Sequence, residues 1–297
     1  MIFLWISPTS PSFQKFIIDI YKNWYIEVLF FILFVRQIKR EKQIGIILMN
    51  DVKNALFTII FFILASTLIA SSPIQVGEKL QYDIWYNFIK GGESTMEIVD
   101  EVSIEGKQRY HIESITRSTG LVDFIFSIDD KLESWVNPRT LYSYKFQKRI
   151  REGKYKKDYS VKFNYEDSLA ISNKDTTEIK PPIHDALSIF YYLRKEELDT
   201  GKIFKVNNFD DDTLKNYNIK VTGKEIIKVP AGRFTCYKLA PYSEEGELFE
   251  KHENKVVTYI STDSLRLPVK ITSDANFGKL IMKLKKVKFI VSGRHIF

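Results

Sequence analysis

A mainly β fold is predicted from Pro73 onward: a curved antiparallel sheet or partly open β-barrel carrying one short packed helix. Three observations predict it. Aromatic residues make up 14% of the 297 residues, with 22 Phe and 16 Tyr, and such bulky side chains favour strands buried on one face. Polar and apolar residues alternate with period two through most of this region. Turn signals recur between the alternating runs without the long helical segments that parallel βαβ units require.

The elements follow in order. Leu80, Tyr82, Ile84, Tyr86 and Phe88 alternate with Lys79, Gln81, Asp83, Trp85 and Asn87, which predicts a first strand with Tyr82, Ile84 and Tyr86 facing inward. Gly91-Gly92 offers a turn into Ser94 to Val102, and Glu105-Gly106 a second turn into Gln108 to Thr116, so the opening reads as a meander. Leu121 to Phe126 is short and wholly apolar but for Asp123, and fits either a helical turn or a lip over the sheet. Asp129-Asp130 and Asn137-Pro138 bracket a strand around Trp135, and a hairpin follows with Glu152-Gly153 at its turn. After Pro181-Pro182, Asp185 is placed to cap a helix running to about Glu197, with Leu187, Phe190, Tyr191 and Leu193 at helical spacing. Strands resume at Ile203–Val206, Tyr217–Val221, Glu225–Val229, Phe234–Leu239, Val256–Ser261, Val269–Thr272 and Lys279–Phe289.

The region before this domain concerns membranes. Ala55 to Ala70 is apolar and uncharged, Lys53 precedes it and Ser71-Ser72 follow, the layout of a secretory signal peptide or a membrane anchor. The expected organisation is therefore an upstream extension or first membrane segment over 1–48, the signal or anchor over 49–72, and the exported β domain over 73–297. Met49 is a natural start for the signal, and cleavage is expected between Ser71 and Gln75. The alternative for the extension is a membrane helix in Phe16 to Val35 backed by Arg36, Lys39, Arg40 and Lys42, at the expense of Asp19, Lys22 and Glu27 within it. Periplasm or cell envelope is the expected location.

Several landmarks resemble a family of exported bacterial proteins, domain of unknown function 3108. They are Gly77-Glu78-Lys79-Leu80 with Tyr82 and Lys90-Gly91-Gly92; Arg149 to Tyr155; Asp185-Ala186-Leu187-Ser188 with Tyr191-Tyr192-Leu193-Arg194; Val229 to Cys236; and Asp263 to Val269. The resemblance spans about Val76 to Leu284. It implies an exported, strand-rich protein and brings no catalytic residue, because the family has no established activity. The layout is also similar to the half-open barrels of lipoprotein-carrier proteins, which cradle acyl chains, a likeness of fold alone.

Composition narrows the chemistry. The net charge is +7 and the single cysteine is Cys236, so no intrachain disulfide and no Cys-based metal site can form. His111, His184, His252 and His295 lack ligand spacing, and nucleophile elbows, phosphate loops and dinucleotide fingerprints are missing. No cofactor and no metal are expected, and no nucleic-acid partner. Cys236 reads as a buried hydrophobe, and Asp210-Asp211-Asp212 as an exposed turn rather than a calcium loop. The expected function is a non-catalytic envelope protein binding a lipid or another envelope component, its apolar ligand held in the sheet's concavity by Tyr86, Phe88, Tyr144, Phe146, Phe163 and Met282. The alternative is an adaptor whose basic hairpin, with Lys145, Lys148, Arg149, Arg151, Lys154, Lys156 and Lys157, docks on an anionic glycan, lipid surface or protein. Those lysines also fit a strand pair that merely resists edge-to-edge pairing.

Overall fold

The computed structural model describes residues 29, 32–33, 73–242, 256–275, 278–291 and 294–296. The chain divides into two compact units, Met1–Ala70 and Ser71–Phe297. In the first, Leu29, Ile32 and Leu33 are helical; the apolar run Ala55 to Ala70, the Met49 start and nearly all of Phe16 to Val35 lie outside the described residues. Among the described residues, no helix is long and apolar enough to cross a membrane.

The second unit is an antiparallel sheet with two short helices among its described residues. In chain order it runs β1 (Glu78–Tyr86), β2 (Ile89–Ile104), β3 (Lys107–Ser118), α1 (Gly120–Ile125), β4 (Asp129–Val136), β5 (Ser143–Glu152) and β6 (Tyr155–Asn164). There follow β7 (Leu169–Ser172), β8 (Thr176–Glu178), α2 (Ser188–Lys195), β9 (Ile203–Asp210), β10 (Thr213–Val229) and β11 (Gly232–Tyr242). The last strands are β12 (Val256–Ser261), β13 (Pro268–Ala275), β14 (Gly278–Val291) and β15 (Arg294–Ile296). The sheet order is β8-β7-β6-β5-β4-β3-β2-β1-β14-β13-β12-β11-β10-β9, with β15 on β14. The fold class is thus as the alternation predicts, and the ladder stays open rather than closing into a barrel.

A short backbone bridge spans the opening. Ser143 N–H donates to Ile183 O (3.0 Å), His184 N–H to Asn207 O (2.8 Å), and Phe209 N–H to His184 O (2.9 Å). Residues 183–184 therefore tie the edge strand β9 to the start of β5. Inside, Phe163 of β6 meets Phe209 of β9 edge to face at 5.6 Å, and one apolar cluster runs from Leu80, Tyr82 and Ile98 through Ile112, Phe146 and Val161 to Phe209 and Leu284. A second gathers Leu193, Leu198, Phe204, Val221, Leu239 and Ile260. The interior is packed with side chains.

Several local expectations change. The first hairpin turns at Asn87-Phe88, not Gly91-Gly92: Asn87 adopts φ 53°, and the two glycines lie within β2. Gly92 is needed there because a Cβ would sit 2.6 Å from the Arg117 carbonyl oxygen on β3. Asp129-Asp130 begins β4 instead of preceding it, and the two strands expected over 217–229 are one, β10, whose register slips between Val221 and Gly223. A second helix, α1, joins the single one expected. The expected helix itself shortens to eight residues, Ser188–Lys195, because Ala186-Leu187 form a turn and Glu196 is already extended. Glu105-Gly106 turns as expected, both residues with positive φ, the pair of conformations a two-residue hairpin favours.

Candidate functional site

Antiparallel pairing places the β1–β2 turn, the β3–β4 connection and the β5–β6 turn at the same end of the sheet. The opposite end carries the start of β1 and the β12–β13 turn. The two ends differ in chemistry.

At the end with the chain entry, Arg194 of α2 is fully buried against fully buried Glu78 of β1, with contacts of 2.6 Å and 2.7 Å to its two carboxylate oxygens. The guanidinium also donates to the carbonyls of Pro73 (2.7 Å), Leu265 (3.1 Å) and Arg266 (2.9 Å). Tyr82 donates its hydroxyl to Pro268 O at 2.9 Å. This is a fully satisfied buried ion pair, the arrangement in which removing one partner is most costly. It locks α2, β1 and the β12–β13 turn together.

Beside α2 lies a polar cluster that looks reactive at first sight. Ser134 and Ser143 donate their hydroxyls to Asp185 Oδ2 at 2.5 and 2.6 Å, and Ser143 Oγ lies 2.9 Å from Ser188 Oγ. Asp185 Oδ1 accepts the N–H groups of Leu187 and Ser188, so the expected capping role is met from just outside the helix. Burial raises the Asp185 pKa against the lowering effect of these donors. All four residues have no solvent exposure, so no substrate reaches a hydroxyl. His184 next to them is buried between Tyr142 and Tyr192, and burial pushes its imidazole down to about 4. Cys236 is buried too, and burial pushes its thiol up to about 12, which removes the thiolate a nucleophile needs.

The other end is apolar and open. α1 has no buried residue; Leu121 is 83% exposed, Phe124 91% and Ile125 81%, and Phe88 in the neighbouring β1–β2 turn is 94% exposed. Ile89, Phe126 and Tyr155 join them as exposed side chains. The segment is nonetheless held in place. Asp123 accepts the hydroxyls of Ser118 (2.6 Å) and Ser127 (3.0 Å), which also hold its carboxyl below the usual range. Ser118 N–H donates to Ile128 O, and Ile128 N–H to Ser118 Oγ, closing the loop at its base. Val122 packs at Gly91 and Phe126 at Gly153, where a Cβ would come within 2.8 Å of the Phe126 ring. The short helix thus rests on Val122 and on the hydroxyl bonds of Asp123, while Leu121, Phe124 and Ile125 face solvent.

The residues expected to line a cavity are dispersed. Phe146 and Phe163 are core, Met282 packs against that core, and Phe88 and Tyr86 are exposed at the apolar end. Tyr144 lies under Arg109 and Lys162. The β4–β5 register slips at Trp135/Val136, which explains why Tyr144 and Phe146, two residues apart, do not share surroundings. A groove of about 330 Å³ across β10–β14 mixes apolar side chains, Ala240, Val257 and Tyr259, with polar ones such as Lys238, Thr272 and Lys279, and is lined by none of the six expected residues. The basic hairpin is largely neutralised. Lys148 pairs with Asp210 and Asp211, Lys157 with Asp211, Arg149 with Asp129 and Arg151 with Asp158. Lys145 lies over the Trp135 ring, and Lys154 and Lys156 stay exposed at the tip. The acidic turn is therefore a counter-charge to β5 and β6. Among the described residues no group of His, Cys, Asp or Glu is arranged to hold a metal; His111 stacks on Trp135 and contacts Glu133 and Asp100.

The pattern missed from sequence is the outward face of α1 together with Phe88. The signal was there in Leu121 to Phe126, an apolar run with neither strand alternation nor enough length to be a core helix.

No curated protein matches the chain. Three solved structures are similar over most of their length. A β-barrel-like protein of domain of unknown function DUF1849 from Brucella abortus is 12% identical, with a TM-score of 0.49, covering 73% of this chain and 98% of that one. A protein from Bacteroides fragilis with a YmcC-like fold, inferred to be exported, is 10% identical, with a TM-score of 0.33 and coverages of 73% and 97%. An inferred lipoprotein from Parabacteroides distasonis is 11% identical, with a TM-score of 0.25 and coverages of 72% and 96%. The model of a family described as protein of unknown function, DUF3108, matches residues 81–285, which include Arg194, α1 and the β12–β13 turn, and the chain belongs to that family.

Proposed function

We propose that this protein is a non-catalytic component of the cell envelope that works by binding, through the apolar end of its sheet. The observation that carries the reading is the contrast within the domain. Apolar groups inside are packed and polar groups inside are sealed, while α1 holds Leu121, Phe124 and Ile125 in water on a rigid base. Contiguous exposed apolar surface at a fixed position marks a binding site more often than it marks a defect. The apolar binding surface thus lies at the end of the sheet, not within its curve.

The envelope location rests on the run Ala55 to Ala70 and its small-residue exit. The basic hairpin is the weaker candidate for a docking surface, since four of its seven cations are held by aspartates. Cell fractionation followed by N-terminal sequencing tests the placement. Protein from the envelope is expected to begin between Ser71 and Gln75; intact Met1 there would replace cleavage by anchoring, and recovery only from the cytoplasm would remove the reading.

A further inference from the structure

The geometry points to a phospholipid bilayer as what the apolar end binds, an inference that rests on the reading of that end as the binding surface. Shape supports it first. The exposed apolar residues sit on three neighbouring connections, at Phe88-Ile89, on α1 with Phe126, and at Tyr155. From β1 to β6 these connections span several strands, and adjacent strands are about 4.8 Å apart, so the row is on the order of 20 Å long. It is a line of projecting tips, not a groove, and a fluid acyl boundary accepts projecting tips without a matching surface.

Charge supports it second. Lys154 and Lys156, exposed and without an ion pair among the described residues, bracket Tyr155 at the hairpin tip. Lysines can keep their ammonium groups at lipid phosphates while their stems lie along apolar surface, and tyrosine favours the headgroup level. Phe126 packs on Gly153 just beneath this tip, so the charged and apolar parts belong to one surface. Phe88, Leu121, Phe124 and Ile125 enter the acyl boundary, and Lys154, Tyr155 and Lys156 lie at the headgroups.

The test uses the full chain, so that any membrane attachment through Ala55 to Ala70 is common to every sample, and reads two positions separately. Phe124→Cys at the apolar end and Ser264→Cys in the β12–β13 turn are each labelled with an environment-sensitive fluorophore, Cys236 being buried. On phosphatidylcholine vesicles containing phosphatidylglycerol, the label at 124 is expected to shift to the blue and be quenched by spin labels on the acyl chains, and the label at 264 to stay in water. K154Q/K156Q is expected to weaken partition of the 124 label by on the order of tenfold on anionic vesicles, with little change on phosphatidylcholine alone. A 124 label that stays in water on both vesicle types overturns the inference. So does a blue shift without lipid that grows with protein concentration, which would assign the surface to a second copy of the chain. The broader reading is tested apart from this one, by adding an apolar dye without lipid to the parent and to L121S/F124S. Dye lost in the variant but no bilayer contact would sink the lipid inference alone; dye binding unaltered by the variant would sink both.

Discussion

The two ends of the sheet spend their residues differently. At the chain-entry end a full positive charge and a full negative charge are buried, and every contact they need is supplied by the protein: Arg194 meets Glu78 and three backbone carbonyls. At the other end, side chains that would stabilise a core if buried are left in water. Burying a side chain such as Phe or Leu is worth about 1.5–3 kcal/mol, so the apolar end forgoes stabilisation the same residues would give inside. One end fixes the fold and the other leaves a surface available. The comparison breaks if substitutions at the two ends have similar effects on folding.

The largest effect is expected at Arg194. Arg194→Met leaves Glu78 charged and buried without a partner and three carbonyls without a donor, and such a loss costs about 3–5 kcal/mol. Chemical denaturation should show a midpoint displaced by that amount at an unchanged slope. A midpoint like the parent's would mean that this end is not the lock. Glu78→Gln is the companion measurement, since it keeps hydrogen-bonding capacity and removes only the charge; it should lose part of the stability and not all.

A smaller effect, dependent on pH, is expected where residues 183–184 bridge β9 to β5. The His184 imidazole is neutral in the folded protein because burial pushes its pKa to about 4, whereas in the unfolded chain it titrates near the ordinary value of about 6.5. Between these values the unfolded chain binds more protons, so stability falls as the pH drops below about 6.5 and the loss is complete below about 4. A shift of this size corresponds to about 3 kcal/mol. His184→Gln removes this group while keeping Asp185, whose raised pKa acts in the opposite sense, in both proteins. The stability of the parent relative to the variant should therefore be flat above pH 6.5 and decline below it. A difference that stays constant across that window would show that His184 does not sit in its buried, neutral form.

How far these ends were legible in the sequence follows from the range of the interactions involved. Alternation made the sheet legible because period two is local, and β12 was read at its observed bounds, Val256–Ser261. Turns were legible where both residues had a local reason, as at Glu105-Gly106, and failed where the reason was distant. Gly91-Gly92 looks like a turn, but Gly92 is glycine because β3 passes too close for a Cβ. The expectation that Ile84 and Tyr86 face inward like Tyr82 is met only at Tyr82. The β1 register slips on both sides, leaving Ile84 half-buried and Tyr86 exposed. The Glu78–Arg194 pair joins residues 116 apart in the chain, although both were among the landmarks of the family resemblance. In the basic hairpin, charge was legible but pairing was not, since its aspartate partners come from β4, β6 and the β9–β10 turn.

The smallest effect on folding is expected at the apolar end, and that near-absence of effect is informative. Leu121→Ser with Phe124→Ser replaces two large apolar side chains, a change that costs several kcal/mol in a core. Here both side chains are more than four-fifths exposed before the change, so little apolar area returns to water on unfolding. The anchoring contacts of α1 are elsewhere: Asp123 with Ser118 and Ser127, and Val122 with Gly91. The double variant should match the parent in denaturation midpoint to within about 0.5 kcal/mol, the usual range for exposed positions, while remaining soluble at higher concentration. The matched control is Asp123→Ala, which leaves every exposed apolar atom in place and removes the carboxylate that orders the segment. It should raise protease sensitivity between Ser118 and Ile128 without improving solubility. If the serine variant instead unfolds with Arg194→Met, Leu121 and Phe124 belong to the core after all, and the distinction between a locking end and a presenting end disappears.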